Sequence, residues 1–352
     1  MTNEEFNVAK SEIVTMISNL HLRGVRVTPI YELLSPVLSL PAKVTWIALE
    51  EHFQQKQYST VEAALLKQAH KLLRDKIISL IMYSDKLIKI LDVELNTFDN
   101  LLAFFQSKIH NTITSFTIKQ LLESKATKTI KFRTDISSEL ESYSFKDIVE
   151  DDLRIHIEDR VTKTLQREFK DIYGVKSVQF RAFNHIIFDK KNKKLFLAVD
   201  LATIIKTAVI NKNMANFAVS IKSSVNGLNY PPYSQNLFAK LKEFYNNEPY
   251  PDGYVDKLYF KTPDGMVYRS IANQEFSDAR LSKYHQSGEA AIKKKLSIYR
   301  ILKGSNTKRK TAYTIELVSS PSMTTKQNPF LYEAILKATN KEDYAEALRK
   351  LL

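Results

Sequence analysis

The sequence predicts an α+β protein: an N-terminal helical bundle, then a mostly antiparallel sheet with flanking helices. Three observations predict it. Apolar residues recur at three- and four-residue steps through residues 1–125, the pattern changes near residue 126, and three hairpin signatures follow. With 352 residues the chain is long enough for two domains, since single cores rarely grow past about 250 to 300 residues. The expected division is a helical domain at 1–125, open to dimerisation or partner docking, and a basic α+β domain at 126–352.

The elements follow in order. Phe6, Ala9, Ile13, Met16, Ile17 and Leu20 form an amphipathic stripe behind Thr2, and Gly24 and Pro29 punctuate it. Trp46 to Gln57 reads as a short helix. Ser59 followed by Glu62 matches a capping box opening a longer helix from Thr60 to Ile90, with Leu65, Ala69, Leu72, Leu73, Leu80 and Ile81 on one face. Helices over 98–109 and 112–124 complete the bundle. Thr127 to Arg133 alternates β-formers with lysines, and Glu158 to Tyr173 reads as a helix closed by Gly174.

The first hairpin pairs Val175–Phe188 with Leu195–Val199 across a turn from Asp189 to Lys194. The second pairs Tyr254–Phe260 with Met266–Ser270 across Thr262-Pro263-Asp264-Gly265, where proline presets φ and glycine supplies a left-handed position. The third joins Leu296–Leu302 to Thr311–Val318 across a polar, basic loop. Helices at 201–225, 236–246, 329–338 and 341–352 flank this sheet, and Asp278 to Gly288 reads as a structured loop carrying Arg280, Lys283, Tyr284 and His285.

Charge is uneven along the chain. The net charge is +13, from 52 basic and 39 acidic residues. Residues 1–100 hold 11 basic and 12 acidic side chains, whereas residues 161–310 hold 27 and 12, a net of +15. Between them lies an acidic strip, 135–159, with Asp135, Glu139, Glu141, Asp147, Glu150, Asp151, Asp152, Glu158 and Asp159 against Lys146 and Arg154. A basic body of this kind suits a polyanion, and the strip suits either shielding of that body or pairing with a partner, including a second copy of the chain.

Several chemistries lack their residues. With no cysteine, the chain offers no disulfide, thiolate zinc site, iron–sulfur ligand or cysteine nucleophile, and a reducing cytoplasmic location is expected. No apolar run approaches a membrane span, so no membrane partner is expected. The seven glycines stand 12 or more residues apart, whereas a Walker A loop, a dinucleotide fingerprint or a nucleophile elbow needs two within six positions. The seven histidines are equally dispersed, so no HExxH pair exists.

The densest positive feature is the stretch from Lys293 to Lys310. Lys293, Lys294, Lys295, Arg300, Lys303, Lys308, Arg309 and Lys310 fall within 18 residues with no acid among them. As a ribbon, these cations neutralise phosphates, and Tyr299 and Tyr313 add stacking where they face outward. The turn bearing Lys190, Lys191, Lys193 and Lys194 is a second basic tip. Lysine is a point charge, so the expectation is a non-catalytic binder of nucleic acid, DNA before RNA, with low sequence specificity and no cofactor. The competing classes are a self-associating or protein-interaction module, such as a homodimer, and a nuclease. The nuclease would hold Mg²⁺ on dispersed carboxylates, with Asp189, Asp200 and Glu158 or Asp159 as the candidates. Against it, Asp189 reads as a turn residue and Asp200 as the cap of the helix that follows.

Overall fold

The computed structural model describes residues 3–42, 45–55, 60–122, 130–156, 173–201, 207–224, 233–246, 253–272, 278–292, 296–307 and 310–352. Helix α1 (Asn3–Leu22) buries Ile13, Met16, Ile17 and Leu20, the residues of the predicted stripe. Gly24, at φ 70°, closes it with the left-handed turn that glycine adopts without a Cβ penalty. Helix α2 (Val27–Leu34) forms where punctuation was expected. Pro29 lies in its first turn, where backbone N–H groups have no intrahelical acceptor in any case. Helix α3 (Trp46–Gln55) and helix α4 (Thr60–Tyr83) follow, and Ser59 of the expected capping box lies outside the described residues.

The long helix expected to reach Ile90 stops at Tyr83, and strand β1 (Lys86–Asp92) takes over. Leu87, Ile88, Ile90 and Leu91 are all buried, on both sides of the strand, which is the mark of a central strand and not of an amphipathic helix. Helix α5 (Leu95–Lys108) matches the expectation, while 112–124 resolves into a 3-10 turn at Ile113–Ser115 and a short helix α6 (Ile118–Leu122).

The sheet is antiparallel throughout. Its strands are β2 (Lys131–Asp135), β3 (Leu140–His156), β4 (Tyr173–Asp189), β5 (Lys194–Asp200), β6 (Tyr233–Ser234), β7 (Tyr254–Lys261), β8 (Val267–Ile271), β9 (Ser297–Thr307), β10 (Lys310–Val318) and β11 (Glu333–Ala338). They lie in the order β2-β3-β4-β5-β1-β11-β10-β9-β7-β8, with β6 paired to the end of β1. All three predicted hairpins are present: Asp189 pairs with Lys194, Lys261 with Val267, and Lys310 with Thr307. The segment 329–338, expected to be helical, is instead β11. Ala334, Leu336 and Ala338 alternate inward at a period of two, which suits a strand.

Helices α7 (Thr207–Ser224) and α8 (Phe238–Asn246) match the expectation. Helix α9 (Lys283–Ile292) replaces the expected loop. Helix α10 (Lys341–Leu351) is capped by the Asn340 side chain, which accepts from Asp343 N at 2.9 Å, with acids in its first turn and Arg349 and Lys350 in its last. The helix predicted over Glu158–Tyr173 falls on 157–172, outside the described residues, and Tyr173 already belongs to β4.

Helices line the two faces of the sheet unequally. On one face α1 to α4 and α6 share a core with Phe132 and Phe183, while α8 and α10 share the adjoining core with Leu258, Phe260, Ile301, Ile315 and Leu336. On the opposite, outer face α5 and α7 cover β1 and β3 to β5 through Phe98, Phe105, Met214 and Phe217. No described α-helix contributes core residues to the outer face of β10, β9, β7 and β8, and the 3-10 turn Pro321–Thr325, which lies against β9 and β7, buries none of its own residues. Among the described residues no helix is long and apolar enough to cross a membrane.

Candidate nucleic-acid interface

The two carboxylates suggested for a metal do not meet. Asp189 opens the β4–β5 turn, where its Oδ1 accepts from the backbone N–H groups of Lys191 and Asn192 at 3.0 and 2.9 Å. It is a turn residue, as its position suggested. Asp200 lies at the other end of β5, about 20 Å away at about 3.3 Å per residue. Glu158 and Asp159 lie outside the described residues, and no metal-ligand cluster occurs among those described.

Asp200 is not the expected helix cap. It is fully buried between two cations, taking Lys86 Nζ at 2.5 Å and Arg23 Nη1 at 3.1 Å, and it also accepts from Phe183 N at 3.0 Å. Burial pushes its carboxyl up, but Arg23 and Lys86 outweigh this and hold it below its ordinary value. Burial pulls the Lys86 ammonium down to about 8 against the opposing pull of Asp200. Beside them His185 is buried and neutral: Nε2–H donates to Ile81 O at 3.2 Å, so Nδ1 accepts from Ser144 Oγ at 2.6 Å. Burial and the nearby Lys86 push its imidazole well below the usual range. The cluster ties the end of α1 (Arg23), the start of β1 (Lys86) and β4 to the end of β5. It is closed to solvent.

The basic turn between β4 and β5 is neutralised by its own fold. Lys190 faces Glu141 at 3.7 Å, Lys191 faces Glu139 at 3.6 Å, Lys193 faces Asp99 at 3.0 Å, and Lys194 pairs with Asp92. Glu139 and Glu141 belong to the acidic strip and meet this tip, whereas Asp135 of the strip pairs with Arg133 at 3.3 Å. The side chains of the strip from Asp147 onward lie outside the described residues.

The second basic stretch divides in another way. Lys293, Lys294, Lys295, Lys308 and Arg309 lie outside the described residues, as does the side chain of Lys310. Lys303 belongs to the interior, not to a basic tip: it is 5% exposed and its Nζ stands 5.3 Å from the Phe244 ring of α8. Strand β9 runs on to Thr307, so Lys303 falls in mid-strand on the side that carries Ile301. Tyr299 and Tyr313, expected to add stacking where they face outward, are 7% and 4% exposed: Tyr313 Oη donates to Glu346 of α10, whereas the Tyr299 ring stands edge-on to Tyr259 at 6.2 Å. Nor do the two basic turns share an end of the sheet. Asp92, level with the β4–β5 turn, lies at the far end of β1 from Lys86, which pairs with Leu336 near the end where β10 begins. About eleven residue steps, roughly 35 Å, separate the turns along the strands.

Among the described residues, Arg300 is the sequence-nominated cation that the fold places on the uncovered face. Three strands align it: Arg269 of β8 lies directly opposite Tyr259 of β7, which lies directly opposite Arg300 of β9. The two guanidinium carbons stand 5.6 and 4.9 Å from the Tyr259 ring centroid, within cation–π range. Glu316 of β10 holds Arg300 through Nε at 2.7 Å and Nη2 at 2.6 Å. Lys257 and Lys261 flank Tyr259 two residues to either side, on the face opposite Leu258 and Phe260. Lys257, Lys261 and Arg269 have no carboxylate within ion-pair distance among the described residues. Asp256 is the acid beside them. Its carboxyl is pushed up by burial, which Lys257 opposes and Glu316 reinforces. Sequence reading missed Tyr259 and Arg269, although their signal was present: both sit in the predicted second hairpin, on the alternate positions that face away from Leu258 and Phe260.

The chain matches no family model, and no curated protein is significantly similar to it.

Proposed function

We propose that this protein is a non-catalytic nucleic-acid-binding protein, acting on DNA in preference to RNA, that contacts the phosphate backbone with low sequence specificity. The observation that carries this reading is the uncovered sheet face on which Lys257, Lys261, Arg269 and Arg300 surround Tyr259. Cations without carboxylate partners keep their charge for a ligand, and those on a preformed sheet lose little entropy on meeting one. The β9–β10 turn, with Lys308, Arg309 and Lys310, is the second contact in this reading. A cytoplasmic setting belongs to the same proposal.

Fluorescence anisotropy across a salt series tests it. With about six phosphates neutralised, log K falls against log salt with a slope near −5 on duplex DNA. The triple variant Lys257→Ala, Lys261→Ala, Arg269→Ala lowers that slope by about two to three. Absence of binding at low salt, or a slope that the triple variant does not move, rejects this face as the interface.

A further inference from the structure

The uncovered face is broad. From β10 to β8 it is four strands across, about 14 Å at about 4.8 Å per strand. A B-form major groove is about 12 Å wide and takes a helix or a two-stranded ribbon, so a face of this width does not enter it. A duplex laid on the surface keeps its bases stacked inside and meets the face only along one line of phosphates. A single strand has neither limit. Its bases splay out and stack on aromatic rings or guanidinium planes, while lysines beside them take the phosphates.

The row Arg269–Tyr259–Arg300 has the composition such a strand uses. Three planar side chains stand in register on three adjacent strands, and the ring and the Glu316 carboxylate orient the guanidinium groups before any ligand arrives. Lys257 and Lys261 lie about 6.6 Å to either side of the ring along β7. Asp256, next to Lys257 on β7, and Glu316, level with Lys257 on β10, put negative charge at that corner, which directs a polyanion toward Lys261 and Arg269. We propose that the outer face of β7, β8 and β9 is a binding site for single-stranded nucleic acid. Tyr259, Arg269 and Arg300 form its stacking row, and Lys257 and Lys261 are its phosphate contacts. This rests on the nucleic-acid reading above and names the substrate class of that site.

The test is anisotropy of the full-length protein with three labelled probes of about 20 nucleotides: oligo-dT, oligo-rU and a blunt DNA duplex. Single strands bind at least tenfold more tightly than the duplex, and the ratio of dT to rU says which sugar is preferred. Tyr259→Ala weakens single-strand binding about 5- to 150-fold with little change in salt slope, as loss of one stacked base does. Tyr259→Phe keeps the affinity. Lys261→Ala instead lowers the single-strand slope by about 0.7. Arg269→Ala, at an exposed position, gives the same weakening as the tyrosine variant if Tyr259→Ala does not fold. Duplex binding as tight as single-strand binding, or full single-strand affinity in both Tyr259→Ala and Arg269→Ala, overturns the single-strand assignment and leaves nucleic-acid binding standing. No binding of any probe at low salt overturns both.

Discussion

The two halves of the sheet treat their cations in opposite ways. At the β4–β5 turn four lysines sit within five residues, and each meets a carboxylate from another part of the chain: Glu141, Glu139, Asp99 or Asp92. On the outer face of β7 to β9 the cations are sparse in sequence, yet Lys257, Lys261 and Arg269 face no described carboxylate partner and gather round a tyrosine. Density of lysine along a chain therefore does not measure the charge a surface offers. What measures it is the carboxylates that folding brings alongside, together with whether helices cover the face.

The largest effect falls on the buried cluster that ties the covered half together. Asp200→Ala removes the buried carboxylate that Arg23 and Lys86 share, and urea unfolding registers a loss of about 3–5 kcal/mol. The uncovered half has its own weak point, where β7 enters against β9. Gly304 lies opposite Tyr254, and a Cβ there would stand 2.6 Å from Tyr254 Cζ. Gly253 takes φ +106°, with the Gly304 carbonyl 2.1 Å from the place of its own Cβ. Gly304→Ala costs about 1–3 kcal/mol in the same assay, the range of an overpacked core.

Acid acts more gently and on both halves, since burial also lowers the pKa of the His285 imidazole that stands against Phe260. His185, buried in the covered half, has an imidazole pKa below its unfolded value, so its contribution to stability is present above about pH 6.5 and drains away as pH falls below it. Stability drops by up to about 1.4 kcal/mol per pH unit in that window, and His185→Gln flattens this part of the profile. Asp200 is also depressed, so its contribution is lost only below about pH 3.9. The smallest effects come from the paired turn. Lys191→Ala, at a side chain 67% exposed, and Lys193→Ala each change stability by less than about 1 kcal/mol and leave the nucleic-acid salt slope unmoved. A slope reduced by about one in either would return the turn to the interface and undo the contrast.

Local patterns were readable where one physical period dominated. Turn chemistry marked all three hairpins, and the stripe at Ile13, Met16, Ile17 and Leu20 marked α1. Reading failed at two short strands, one buried on both sides and one on a single side. Lys86–Asp92 and Glu333–Ala338 pair with each other near the middle of the sheet, and short apolar runs of that kind do not distinguish strand from helix by period alone. The candidate site was half legible. Arg300 was marked by its basic neighbourhood, whereas Tyr259 and Arg269 sit in a stretch with no charge cluster to draw attention.

By itself the sequence determined the α+β class, the hairpins, the absence of thiol chemistry and the basic second half, because composition, periodicity and turn residues act over a few positions. Only the tertiary structure decided which cations are spent on internal carboxylates, that Lys303 and Asp200 are interior, that the two basic turns stand at opposite ends, and that no described α-helix covers one face. Each of these depends on strand order and register, which join residues such as Arg23 and Asp200 that lie 177 positions apart. Interactions across such separations leave no local trace in the chain.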